Sequence, residues 1–256
     1  MSSIPRLFVA QDLVEGAAFP LDDAQANYLL RVLRLVADAP VRVFNGRDGE
    51  WEARIVDVHG KRASLTPERL VRPQPETPAS APVLLFAPVK KAETDFIVEK
   101  ATELGAARIS PVLTDRTQTR TVRLDRFQKI VLEAAEQTER LDLPEVQDLQ
   151  PLAKALDGLA DGTIVIFCDE RGDDEDAPWG GETGRAGPIA DVFASLGDKP
   201  VAILIGPEGG FTPEERDWLR ARDDSAPVSL GPRILRAETA AVAALSVWQA
   251  LKGDWR

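Results

Sequence analysis

Val201-Ala-Ile-Leu-Ile-Gly-Pro-Glu-Gly-Gly-Phe211 and Ser229-Leu-Gly-Pro-Arg-Ile-Leu-Arg-Ala-Glu-Thr-Ala240 decide the reading of this chain. Each leaves a short run that reads as a buried strand, turns at Gly-Pro, and then opens a helix. The start of the first helix is explicit: Thr212-Pro-Glu-Glu215 is a capping box with proline at the first helical position. Gly206, Gly209, Gly210 and Gly231 permit positive φ or close backbone approach, so two neighbouring loops offer bare N–H and C=O groups to one small ligand. Neither loop continues as the Gly-Lys-Ser/Thr of a phosphate-binding loop, and neither has Gly-x-Gly-x-x-Gly spacing. A single such turn reads as an ordinary connection. Two with matching detail read as a site for a nucleotide-like ligand held by backbone.

The same alternation extends upstream. Val83–Ala87, Ile109–Leu113 and Ile164–Cys168 join Val201–Ile205 and Val228–Leu230 as short strands suited to a buried parallel sheet. Glu93–Leu104, closed by Gly105, and Leu124–Arg140 read as helices, as does Thr239–Leu251. In the last of these Ala240, Ala241, Ala243 and Ala244 permit close approach of a second helix, which predicts a two-fold dimer contact. Upstream again, Arg72–Pro82 carries four prolines in eleven residues and reads as a linker. Before it, Leu7–Val9, Val41–Asn45, Trp51–Val58 and Ala63–Leu65 read as strands, with Asn45-Gly46 and Asp48-Gly49 as hairpin turns. One helix, Asp22–Leu35 capped by Asp22, interrupts them. The expectation is an α/β protein of two domains: a small β-barrel-like module over 1–72 and an α/β domain over 82–256.

Composition narrows the chemistry. A single cysteine, Cys168, and a single histidine, His59, exclude an intrachain disulfide, a Cys/His zinc cluster and a histidine-based catalytic triad. The start of the chain has no apolar leader and no run is long enough to span a bilayer, so a soluble cytoplasmic protein without a membrane partner is expected. The net charge of −11 opposes nucleic-acid binding at first sight. Residues 1–73, however, balance ten basic against ten acidic side chains, and much of the excess acid sits in Asp169-Glu-Arg-Gly-Asp-Asp-Glu-Asp176. Local basic patches remain open to the chain.

Ile205-Gly-Pro-Glu-Gly-Gly-Phe-Thr-Pro-Glu-Glu215 followed by Leu230-Gly-Pro-Arg-Ile-Leu-Arg-Ala-Glu-Thr-Ala240 resembles the signature of the RsmE family. These are SPOUT-superfamily methyltransferases that act on N3 of uridine in 16S ribosomal RNA. Ile4-Pro-Arg-Leu-Phe8, Arg31-Val-Leu-Arg-Leu35, Glu99-Lys-Ala-Thr-Glu-Leu-Gly105 and Glu133-Ala-Ala-Glu-Gln137 resemble further family segments, so the likeness covers most of the chain. Two departures stand out: Asn27-Tyr-Leu-Leu30 lacks the histidine often found ahead of the arginine pair, and Thr138-Glu-Arg-Leu-Asp142 is less basic than usual. The acidic, glycine-rich stretch 171–187 resembles a lineage insertion.

The resemblance implies a PUA-like RNA-binding barrel, then a SPOUT domain with a deep trefoil knot, working as a homodimer on ribosomal RNA of the small subunit. It implies S-adenosylmethionine as methyl donor, bound by Ile205, Gly206, Pro207, Glu208, Gly209 and Gly210 of the first turn. Leu230, Gly231, Ile234, Leu235, Arg236 and Thr239 of the second complete that set. No metal is required for an in-line displacement. Arg236 or Arg233 would stabilise the anion developing on uracil, and Glu238 would accept the N3 proton or orient an arginine. Arg6, Arg31, Arg34, Lys90, Arg116, Arg120 and Arg140 are candidate RNA contacts, and Trp51 is a candidate stacking platform. Two other readings stay open: a SPOUT enzyme acting on a different RNA, and a non-catalytic RNA-binding assembly factor.

Overall fold

Alternation of apolar and polar residues, strand by strand, builds the N-terminal sheet. The computed structural model describes residues 4–75, 81–169 and 186–255, and the chain divides into two units, 1–76 with 135–143 and 77–134 with 144–256. The first unit holds β1 (Arg6–Phe8), β2 (Phe19–Pro20), α1 (Asp23–Asn27), β3 (Pro40–Phe44), β4 (Glu50–His59) and β5 (Arg62–Arg72). Its sheet runs β1-β3-β4-β5-β2, with β1 parallel to β3 and the other pairs antiparallel. Val41 and Val43, Ala53 and Ile55, and Ala63 and Leu65 point inward at period two and form the core with Leu7 and Leu29. At the outer edge of β1 the Phe8 N–H donates to Glu136 Oε1, and the Phe8 carbonyl accepts from Gln25 Nε2, both at 3.0 Å. Side chains thus satisfy an edge that no strand covers.

Asp22 caps its helix through a reciprocal bond pair with Gln25, as expected, but the α-helix stops at Asn27. A π-helical turn, Tyr28–Val32, follows, and Arg34 adopts φ 57°. The widened turn sends Leu29 into the core while Val32 and Val36 stay exposed, a packing outcome that helix propensity does not encode. Strand β5 is far longer than the expected Ala63–Leu65. It continues past Pro67 because the register with β4 shifts there, and because Arg69 and Arg72 pair across the ladder with Glu52 and Glu50. Trp51 packs on the core and donates Nε1 to Asp48 O.

The second unit contains β6 (Val83–Phe86), α2 (Lys91–Glu103), β7 (Arg108–Leu113), most of α3 (Leu124–Gln137), β8 (Glu145–Val146), β9 (Gln150–Pro151) and α4 (Leu152–Asp157). Then come β10 (Ile164–Cys168), β11 (Gly187–Pro188), α5 (Ile189–Ser195), β12 (Val201–Ile205), α6 (Pro213–Arg220), β13 (Ser225–Ser229) and α7 (Ala237–Leu251). The parallel sheet is ordered β11-β13-β10-β12-β6-β7-β8, with β9 pairing β7. Every residue of β12 is buried, as its unbroken apolar run requires at the sheet's centre. The chain moves from β6 outward to β7 and β8, then returns to lay β12 on the other flank of β6. That reversal opens a crevice at the carboxyl ends of the strands.

Two expectations change here. Helix α3 ends at Gln137, short of Arg140, and Glu139 leaves it with φ 62°. The alanine face of α7 is not a free surface: Ala240, Ala241 and Ala244 are buried inside the chain, where α7 packs against α2, α5 and β12. Buried Gln249 of α7 donates to Leu104 O where α2 ends, and accepts from Asp254 N. Residues 170–185, which include most of the acidic stretch, and residues 76–80 of the linker lie outside the described residues. No helix among the described residues is long and apolar enough to cross a membrane.

Candidate active site

The crevice at the strand ends is a cleft of about 380 Å³. Ile205, Gly206, Pro207 and Glu208 line one side and Ile234, Leu235, Arg236, Ala237 and Glu238 another, so both Gly-Pro turns meet in one place. Val89, Lys90 and Glu93 close a third side, and Cys168 lies at the bottom with Ala240.

Local chemistry shapes each wall. Beyond Gly206 the chain folds around buried Phe211, whose ring would stand 3.1 Å from any Cβ placed at 206, a contact tight enough that the ring would have to shift to admit a side chain. Phe211 in turn packs edge-on against Phe167 of β10, ring centroids 6.0 Å apart. Gly210 N donates to Pro207 O and closes the turn, with Gly210 at φ 66°. Helix α6 is tied to the end of β10 by buried Asp169, which accepts from Arg216 Nε at 3.0 Å and Arg220 at 2.9 Å. Val89 is fixed by the Thr94 hydroxyl, which accepts from its N–H at 3.0 Å, and by Thr119 Oγ1, which donates to its carbonyl at 2.7 Å. Helix α7 begins at Arg236 without a side-chain cap, so the N–H groups of its first turn are open beside the cleft.

The proposed ligand residues separate on this geometry. Gly209 and Gly210 shape the first turn without lining the cleft, and Gly209 takes no positive φ. Leu230, Gly231 and Arg233 line a recess of about 30 Å³ that shares Cys168, Leu235 and Ala240 with the main cleft. Gly231 has φ 105°, where a side chain would be strained, and Thr239 is exposed on α7 outside both cavities. Val89, Glu93 and Cys168 were missed from sequence. The signal that finds them is positional, since Cys168 ends β10 and Val89 follows β6.

The basic candidates divide as sharply. Arg31, Arg34, Lys90 and Arg120 are exposed, and among the described residues their side chains have no ion pair, as is also true of Arg233, Arg236 and Glu238. Arg6 is different: its side chain is 10% exposed and donates to Glu50 Oε1, to the carbonyls of Ala135 and Glu136, and to that of Arg140. With its guanidinium also 4.5 Å above the Phe44 ring, it is consumed by packing and is no phosphate contact. Arg140 is 11% exposed and bound by both Nε and its NH2 to Asp142, so it too is taken up internally. Arg116 donates to Gly209 O and Phe211 O.

A parallel sheet whose strand-end cleft is built by two glycine-proline turns matches one class of enzyme by family comparison. Residues 76–249 match the RNA methyltransferase domain family and residues 21–68 the RNA methyltransferase PUA domain family. The chain is 32% identical over 243 residues to ribosomal RNA small subunit methyltransferase E of Rickettsia conorii, covering 94% of this chain and 93% of that protein. It is 34% identical to the Synechocystis protein of the same name, covering 96% of this chain and 77% of that one. The crystal structure of the Neisseria gonorrhoeae ribosomal RNA small subunit methyltransferase E bound to S-adenosyl methionine superposes with TM-score 0.81 at 27% identity, over 99% of this chain and all of that one. The chain belongs to the ribosomal RNA small subunit methyltransferase E family.

Proposed function

We propose that this protein transfers the methyl group of S-adenosylmethionine to N3 of a uridine in small-subunit ribosomal RNA. The convergence of both Gly-Pro turns on one cleft carries the reading. A volume of about 380 Å³ falls in the range of small-molecule sites. The carboxylates of Glu93, Glu208 and Glu238 at its wall suit a ligand bearing a sulfonium and an ammonium. The open N–H groups at the start of α7 suit the ligand's carboxylate.

Bound there, S-adenosylmethionine would supply an electrophilic methyl group. The work left to the chain is alignment and charge. The backbone of Ile205 to Glu208 and of Ile234 to Ala237 would hold the donor, which leaves the Arg236 side chain for the base. Arg236, with Arg233 in the adjoining recess, would stabilise the negative charge that spreads onto the uracil oxygens as N3 gives up its proton. As the N3–methyl bond forms and the sulfur–methyl bond breaks, the N3 proton passes to Glu238, our assignment for the acceptor. Residues 1–72 serve as the RNA-binding domain and 82–256 as a SPOUT catalytic domain. Arg31, Arg34, Lys90 and Arg120 supply phosphate contacts.

The trefoil knot and the homodimer belong to the same reading. Ile234, 74% exposed in the second turn, is an apolar group that a partner subunit would cover. Labelled methyl transfer to small subunits from cells lacking the gene, followed by mapping of the modified base, tests the function. Methylation at one uridine N3 is expected; transfer to another RNA or atom, or none, would refute it. Light scattering on the active protein tests the dimer, and a monomer with full activity would contradict it.

A further inference from the structure

The loop after β7 grips the first Gly-Pro turn from outside the cleft. Arg116 donates to Gly209 O at 2.8 Å and to Phe211 O at 3.2 Å. One residue earlier, Asp115 N donates to Glu215 Oε1 at 2.8 Å, while Glu215 Oε2 accepts from Thr212 N at 2.9 Å. The gripping loop is itself fixed: Thr114 and Thr117 are buried, Thr114 N donates to Thr117 Oγ1, and the two hydroxyls share a 2.9 Å bond. Gly209 has neither positive φ nor a place in the cleft wall, so backbone strain and ligand approach both fail to explain it. A Cβ at 209 would touch Arg116 at ordinary van der Waals distance, 3.4 Å from Cδ and 3.6 Å from Cβ, so the arginine stem lies directly against this residue.

We infer that Arg116, seated against the bare face of Gly209, is a positioning residue that fixes the Gly206–Gly210 turn in its donor-binding shape. The inference rests on the proposal that the cleft takes S-adenosylmethionine. Two consecutive glycines leave the turn with large conformational freedom, and a ligand that must order them binds more weakly. Charge-assisted bonds from Arg116 to carbonyls on either side of Gly210 remove that freedom in advance.

Calorimetric titration with S-adenosylmethionine tests this on the full-length protein and its Arg116→Ala and Arg116→Lys variants. Arg116→Ala should weaken donor affinity about tenfold, the scale of losing charge-assisted hydrogen bonds. It should raise the donor KM equally and leave kcat at saturating donor and the melting temperature nearly unchanged. Arg116→Lys should recover part of the affinity. Unchanged affinity in a folded Arg116→Ala protein would overturn the inference. A wild-type protein that binds no donor refutes the cleft assignment itself, and the inference with it.

Discussion

Glu50→Gln should destabilise the N-terminal unit by removing one charge from its interior. The carboxylate is 6% exposed and lies between two guanidiniums, 2.6 Å from Arg6 Nε and 2.9 Å from Arg72 Nε. A glutamine offers one acceptor and turns its NH2 toward the other guanidinium, leaving the Arg6 charge buried and uncompensated. Breaking a buried pair in this way costs about 3–5 kcal/mol. Arg6 keeps the carbonyls of Ala135, Glu136 and Arg140, which places the cost at the lower end, about 3 kcal/mol. For a unit of this size the transition should drop by roughly 10–20 °C.

The pH dependence supplies the sharper test. Burial pushes the Glu50 carboxyl up, but hydrogen bonds and charges from Arg72 and Arg6 outweigh it and set the group below its ordinary value of 4.5. A lowered folded-state value means that Glu50 stabilises fully above pH 4.5 and loses that contribution as pH falls through the folded value. Thermal melts of wild type and Glu50→Gln, followed by circular dichroism, should therefore differ by the same wide margin at neutral and mildly acid pH, with the gap closing only below about pH 4.5. Equal melting temperatures at neutral pH would refute the buried-charge argument. A gap that persists unchanged in acid would trace the loss to packing instead.

Arg236→Ala should lower single-turnover methylation by about two orders of magnitude with donor and RNA affinity nearly intact, as for a group acting on transition-state charge; a near-normal rate would remove it from the chemistry. Arg31→Ala should weaken RNA binding and flatten its salt dependence with little change in turnover at saturating RNA. Arg34 needs a different substitution, since it sits at φ 57°; Arg34→Asn keeps that backbone accessible, and filter-binding titrations across salt should show the same flattening. Gln249→Ala orphans Leu104 O beneath α7 and should cost about 2 kcal/mol, read as a lower midpoint in urea with unchanged slope.

What could be read from the sequence followed from how local each cause was. Strands β6, β10 and β12 are bounded almost to the residue by their apolar runs, because a strand buried on both faces has no polar position to blur its ends. Asp22 caps its helix as its position indicates, and the Thr212-x-x-Glu215 box forms as its spacing dictates. Elements fixed by distant partners were not legible. The π turn at Tyr28 exists because Leu29 must reach a core assembled from five strands. The outer half of β5 exists because Glu50 and Glu52 wait on the neighbouring strand.

The arginines carry the same lesson at the site. Arg6, Arg31, Arg116 and Arg236 are indistinguishable as letters, and each was a reasonable RNA or transition-state contact. Folding separates them by what is left for each to bind. Arg6 meets Glu50 and the carbonyls of Ala135, Glu136 and Arg140, so it goes to packing. Arg116 meets the carbonyls of the first turn, ninety-three residues away at Gly209. Arg31 and Arg236 are exposed and meet no such partner among the described residues. A basic residue's function in this chain is therefore set by the acceptors that folding brings to it, and an unsatisfied guanidinium beside a cleft is the better mark of chemistry than an arginine in a motif.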